Sequence, residues 1–249
     1  MSCICNSATA LPRVNSLRSN AIHHIISCEH AGNKVPQRYR PLFARCGNLL
    51  ASHRGYDIGA LNLARFLSRA LGAPLHSSAY TRLLVDLNRS QHHPRLFSKY
   101  TKTLNRAEKE RLLSAYYHRY RQKITGEITR LIEKNGPVLH LSIHTFTPRL
   151  DNQARNADIG LLYDPKRLTE KELCLKWQEA LQQAGLAVRR NYPYRGIADG
   201  LTSHLRKIFP SNRYLGIEVE VNQKHFAGTR AGWRKLAGVI SNAIAPGVS

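Results

Sequence analysis

Apolar positions along the chain fall into two alternating rhythms. Short runs at Ile22–Cys28, Pro74–Ala79, Leu83–Leu87, Val138–Ile143, Ile159–Tyr163, Ala187–Arg190 and Tyr214–Val221 predict strands. Several are apolar at every position, the pattern of strands covered on both faces. Helical spacing fills the gaps. "DIGALNLARFLSRALG" sets Ala60, Leu63, Ala64, Leu67 and Leu71 on one face, with Asp57 at its start and Gly72 just past its end. A longer pattern, from about Asn105 to Lys134, repeats Leu113, Tyr117, Tyr120, Ile124, Ile128 and Leu131. "TEKELCLKWQEALQQAG" predicts a capping box of Thr169 and Glu172 and a stop at Gly185. The last pattern covers Arg230 to Ile244. Strands alternating with helices predict an α/β fold, three layers α/β/α around a central mixed, mostly parallel sheet. No repeat or linker divides it, so residues 22–249 read as one domain, preceded by a loose polar arm over residues 1–21.

Composition narrows the class. With 249 residues and 42% hydrophobic side chains, the chain is long and apolar enough for a sizeable core. No apolar run is long enough to cross a bilayer. The five cysteines (Cys3, Cys5, Cys28, Cys46 and Cys174) are odd in number and contain no CxxC pair. That argues against a disulfide framework or zinc knuckle and favours reduced thiols in the cytoplasm. Residues 1–21 lack the apolar core of a secretory signal. The net charge is +22, from 38 Lys+Arg against 16 Asp+Glu. Such a field draws anions, from small carboxylates to nucleic acid, though the charges are spread rather than gathered in one block.

Candidate chemistry lies at the strand ends, where ligands gather in open α/β sheets. His30 and His144 each occur at the end of an apolar run. Two imidazoles with a carboxylate form the ligand set of a catalytic metal site, a divalent ion with zinc as first choice. Asp57 is the expected third ligand, its competing role being a helix N-cap; His53 is a weaker candidate, and Glu29 is expected to point elsewhere. No HExxH motif occurs. Glu218 and Glu220 share one face of their strand and are candidates to exchange protons with a bound water, or to pair with arginines. Arg89, helped by Asn88, suits a carboxylate, with Asp86 either steadying Arg89 or making a structural ion pair. Arg155 and Arg206 are further candidate anion contacts.

Seven segments, "CEHAGNKVP", "HRGYDIGA", "RLLVDLNR", "SIHTFTP", "RNADIGLLYDP", "YPYRGIADGLTSHLR" and "GIEVEVNQ", together resemble the N-formylglutamate amidohydrolase family, from about His23 to Gln223. The resemblance implies a phosphorylase/hydrolase-like fold related to zinc carboxypeptidases and aspartoacylase, and metal-dependent cleavage of an N-acyl amino acid. It matches the metal histidines to His30 and His144, the carboxylate-holding pair to Asn88 and Arg89, and the catalytic glutamate to Glu220. The carboxypeptidase pattern has a glutamate three residues after its first histidine. Here that position is Asn33, so the third ligand has to come from elsewhere. Two alternatives stand beside this expectation. One is a metal hydrolase of a peptide or cell-wall amide. The other is a basic nucleic-acid-binding protein on an inactive hydrolase fold, suggested by the charge and by the long helix with Arg106, Arg111, Arg119, Arg121 and Arg130 beside Tyr116, Tyr117 and Tyr120.

Overall fold

The computed structural model describes residues 22–134 and 136–245; the expected N-terminal arm, with Cys3 and Cys5, lies outside them. In chain order the elements are β1 (His23–Cys28), α1 (Gly47–Leu50), α2 (Ala60–Ala70), β2 (Leu75–Ser77), α3 (Arg106–Leu112) and α4 (Arg119–Glu133). They continue with β3 (Val138–Phe146), a small hairpin of β4 (Arg149–Leu150) and β5 (Gln153–Ala154), and β6 (Ile159–Leu162). α5 (Leu168–Gln183), β7 (Val188–Arg190), α6 (Leu201–Ile208), β8 (Tyr214–Asn222) and α7 (Arg230–Ile244) complete the order. Six strands form one sheet in the order β2-β1-β3-β8-β6-β7. β2, β1, β3 and β8 run parallel, whereas β6 pairs antiparallel with β8 and parallel with β7. The sheet is therefore mixed and mostly parallel, as expected.

Its two faces are covered by different helices. α2, α5 and α7 bury Leu63, Leu67, Trp177, Leu181, Ile240 and their neighbours against Leu139, Leu141, Ile143, Ile217 and Val219 of the strands. On the opposite face α4 and α6 pack Tyr120, Ile124, Ile128, Leu201 and Leu205 against Ile25, Val138 and Tyr214. α3 and α4 are joined by a π-helical segment, Leu113–His118, so the long predicted helix is real but wider in its middle. Asn105 caps its start by accepting from the Glu108 amide at 2.9 Å. Among the described residues, no helix is long and apolar enough to cross a membrane.

Four local expectations are corrected. Leu83–Leu87 is a series of turns, not a strand. Its backbone is satisfied locally: Asp86 N–H donates to Leu96 O at 2.9 Å, and Leu84 O accepts from Thr101 Oγ1 at 2.9 Å. The buried leucines and valine of the run are shared between two clusters, which gives a mostly apolar run without a neighbouring strand. The capping box at Thr169 does not form, because the helix already begins at Leu168 after Arg167. Asp57 is no cap either: α2 starts after Gly59, whose φ of 88° turns the chain before the helix begins. Finally, α6 lies in a stretch where no helix was expected.

Candidate active site

The face of the sheet under α4 and α6 changes character along the strands. β3 presents His140, Ser142 and His144 at alternate positions, all buried. β8 lies beside it in register, pairing Ser142 with Glu218 and His144 with Glu220. At the carboxyl ends of these strands opens a cleft of about 480 Å³, lined by His30, Asp57, Asn88, Arg89, His144, Glu218 and Glu220 among others.

His30 follows β1 and Asp57 precedes α2, and the Asp57 amide donates to His30 O at 2.9 Å, joining the two turns. Asp57 Oδ2 lies 2.8 Å from His144 Nδ1 and 3.4 Å from His30 Nδ1. The other ring nitrogens face acids: His30 Nε2 is 2.7 Å from Asp86 Oδ1, and His144 Nε2 is 3.0 Å from Glu29 Oε2. Each Nε2 is thus placed to donate to a carboxylate, and each Nδ1 faces Asp57, where a neutral imidazole could offer its lone pair to an ion. One ligand atom from each of His30, Asp57 and His144 lies within 4.8 Å of the others. His30 Nδ1 is buried with no hydrogen-bond partner. Two nitrogens and a carboxylate, one donor unsatisfied and both imidazoles backed by acids, fit a divalent metal.

Electrostatics follow from this packing. Burial acts to raise the carboxyls of Glu29, Asp57 and Asp86, yet all three lie well below the ordinary range. His144 overrides burial for Glu29, His30 and His144 for Asp57, and Arg82 with His30 for Asp86. Burial pulls the His144 imidazole down, but its bonds to Asp57 and Glu29 hold it well above the usual histidine value. Glu220 behaves oppositely. It is buried, its Oε2 has no partner, and burial, with Asp57 and Glu218 adding to it, pushes its pKa up to about 7. Glu218 differs again, accepting from Thr202 Oγ1 at 2.6 Å.

Asn88 Oδ1 accepts from the Leu201 amide at 2.6 Å and so anchors the start of α6, while Asn88 Nδ2 lies 3.4 Å from His144 Nε2. Arg89 reaches across the cleft to donate to Asp199 O at 3.3 Å. Arg82 bridges Asp86 at 2.9 Å and Asp57 at 3.4 Å. The loop of residues 191–200 forms the remaining wall with Tyr194, Arg195 and Asp199. It sits close against β6, for a Cβ on Gly160 would collide with Tyr192 O and one on Gly196 with the Tyr163 backbone.

Over residues 22–227 the sequence matches the family described as N-formylglutamate amidohydrolase. The chain belongs to that family. A crystal structure of gene product Atu2144 from Agrobacterium tumefaciens is similar at a TM-score of 0.80 and 27% identity, over 92% of this chain and 91% of that one. A crystal structure of N-formylglutamate amidohydrolase from Ralstonia eutropha JMP134 is similar at a TM-score of 0.66 and 19% identity, over 92% of this chain and 94% of that one. No match was found among curated proteins.

Set within the N-formylglutamate amidohydrolase family, the expected residues sort plainly. The cleft brings together His30, Asp57, His144, Asn88, Arg89, Glu218 and Glu220. Arg155 sits outside it, its guanidinium 5.4 Å from the Tyr194 ring centroid at the rim. The expectation for Arg206 is corrected: its side chain is 6% exposed, pairs with Glu170 at 3.2 Å and donates to Gly196 O at 2.7 Å, so it braces the cleft loop from behind. Asp86 does not steady Arg89; it faces His30 and Arg82. His53 is exposed and outside the cluster, and Asn33 donates to Leu50 O. Of the three aromatics of the nucleic-acid alternative, Tyr117 and Tyr120 are buried in the core and unavailable for base stacking, and Tyr116 is half-buried against it. Arg82, Arg95, Arg195 and Asp199 were missed. Glu29 stays out of the ligand cluster, as expected, and instead backs His144, for Ser27 and Glu29 continue the alternation of β1 onto the polar face.

Proposed function

We propose that this chain is a metal-dependent deformylase of N-formyl acidic amino acids, with N-formyl-L-glutamate the first substrate to test. The observation that carries this reading is Glu220, a buried carboxyl with a free Oε2 and a pKa near 7, beside the His30–Asp57–His144 cluster in an arginine-lined cleft. Those three residues would hold the ion, and zinc suits two nitrogens and one carboxylate. When bound, the ion supplies Lewis acidity to the formyl oxygen and acidity to water.

The chain's own residues supply the rest. Arg89 and Asn88 hold a substrate carboxylate, and the surplus of cleft arginines favours a substrate with two. Glu220 Oε2 takes a proton as the water oxygen bonds to the formyl carbon, giving a tetrahedral oxyanion. As the carbon–nitrogen bond breaks, Glu220 returns that proton to the departing amine, and formate and the free amino acid leave. A buried carboxyl beside the water can both accept and release the proton. The free thiols of Cys28, Cys46 and Cys174 support a reducing compartment, the cytoplasm.

The test is formate release by zinc-loaded protein across a panel of N-formyl-Glu, N-formyl-Asp, N-formyl-Leu, N-acetyl-Glu and short peptide amides. Preference for the formylated dicarboxylates is expected. No acid released from any member overturns the reading, and cleavage confined to peptides moves it to the peptide-amide alternative.

A further inference from the structure

The turn that gives Arg89 to the cleft gives Ser90, Gln91 and His92 to a second hollow, a groove of about 730 Å³ between α4 and α6. Arg121 lies in its wall and is 6% exposed. Its Nε donates weakly to Leu87 O at 3.4 Å, its guanidinium carbon lies 4.8 Å from the Tyr117 ring centroid, and its Nη2 has no partner. It takes part in none of the ion pairs found among the described residues. Arg206, its side chain equally buried, is paired with Glu170, and the half-buried Arg82 with Asp86. A buried guanidinium without an acid is costly, and this one borders an open groove. His118, His204 and Lys207 line the same groove, where the one acid is Glu133.

We propose that this groove is a binding site for a small oxyanion, a carboxylate or a phosphate, seated against Arg121 with His204 and Lys207 at its mouth. Tyr117 links it to the cleft. Its ring lies on Arg121, while its hydroxyl donates to Arg89 O at 2.8 Å. An anion in the groove therefore steadies the backbone that carries Arg89, and its occupancy changes KM rather than kcat. The binding claim stands apart from the deformylase reading; only the kinetic link rests on it.

The experiment is titration calorimetry of the full chain with inorganic phosphate, formate and L-glutamate, which separates an inorganic ligand from the two products. Wild type and Arg89→Ala are expected to bind at least one of these anions at the groove with equal affinity. Arg121→Gln is expected to weaken binding about tenfold or more, as loss of a charge-assisted contact does. Lys207→Glu changes an exposed residue and guards against misfolding of the Arg121 variant; it is expected to weaken binding several-fold. In kinetic assays the bound anion should move the KM of the wild type at constant kcat, and by more than that of Arg121→Gln, because competition by a product at the cleft is common to both. Binding that survives Arg121→Gln, is unchanged by Lys207→Glu or disappears with Arg89→Ala overturns the site. Absence of saturable binding through the millimolar range also overturns it. An unmoved KM overturns the link to Arg89.

Discussion

The two faces of the central sheet come from the same strands and serve opposite ends. Toward α2, α5 and α7, β3 presents Leu139, Leu141 and Ile143, and β8 presents Ile217, Val219 and Val221. One residue out of step on the same strands come His140, Ser142 and His144, then Glu218 and Glu220. All are buried, so burial alone does not separate core from site. The difference lies in where the polar groups find partners. His140 is closed off between Tyr214 OH at 2.8 Å and Ser27 Oγ at 2.7 Å, and burial takes its pKa down to about 4, so it stays neutral. Toward the carboxyl ends, His30 Nδ1 and Glu220 Oε2 are buried without partners and border the same cleft.

The sharpest way to break this comparison is Glu220→Gln. It keeps shape and removes the proton acceptor, and kcat should fall about a thousandfold or more while KM changes little. If formate release survived, the polar face would lack the role given to it. Arg89→Ala should raise KM and lower kcat/KM by about one to two orders of magnitude, with the loss greatest for substrates carrying a free carboxylate. Glu29→Gln and Asp86→Asn remove the acids behind the two imidazoles. Each should weaken zinc affinity, measured by chelator competition, by about ten- to a hundredfold. The opposite face should respond in the other currency: Leu141→Ala should lower unfolding free energy by about 2–5 kcal/mol with kcat nearly unchanged, read by denaturant titration and assay.

The smallest expected effect sharpens the same contrast through pH. The folded pKa of Glu220, about 7, lies above its ordinary 4.5, so the native state binds the extra proton between those values. Native stability should therefore fall as pH rises through that window, by about 3 kcal/mol in the metal-free protein. Glu220→Gln should flatten this dependence and be more stable than wild type at pH 8 but not at pH 4, read by thermal unfolding.

The alternation of buried strands made His144, Glu218 and Glu220 legible, because the pleat fixes which residues share a face whatever packs above them. The layered architecture followed from the same rhythm. What stayed hidden was set by turns. Asp86, Arg82 and Asp199 lie in loops whose direction depends on distant partners, such as Leu96 O for the Asp86 amide and Ser90 N for the Asp199 carboxylate. Leu83–Leu87 misled for a related reason: an apolar run reports burial and is silent on whether a neighbouring strand supplies the hydrogen bonds. α6 is short, and its start is held by Asn88 from far along the chain, a contact without local signature.

Gly160 faces Glu220 across the β6–β8 pair and lets the Tyr192 carbonyl rest on the strand. The missing methyl group therefore sets how closely the loop with Tyr194 and Arg195 approaches the Glu220 carboxylate. A methyl group at Gly160 would overlap the Tyr192 carbonyl and touch the Glu220 Cβ, so one hydrogen atom on a strand without any reactive group holds both the cleft loop and the carboxylate in place.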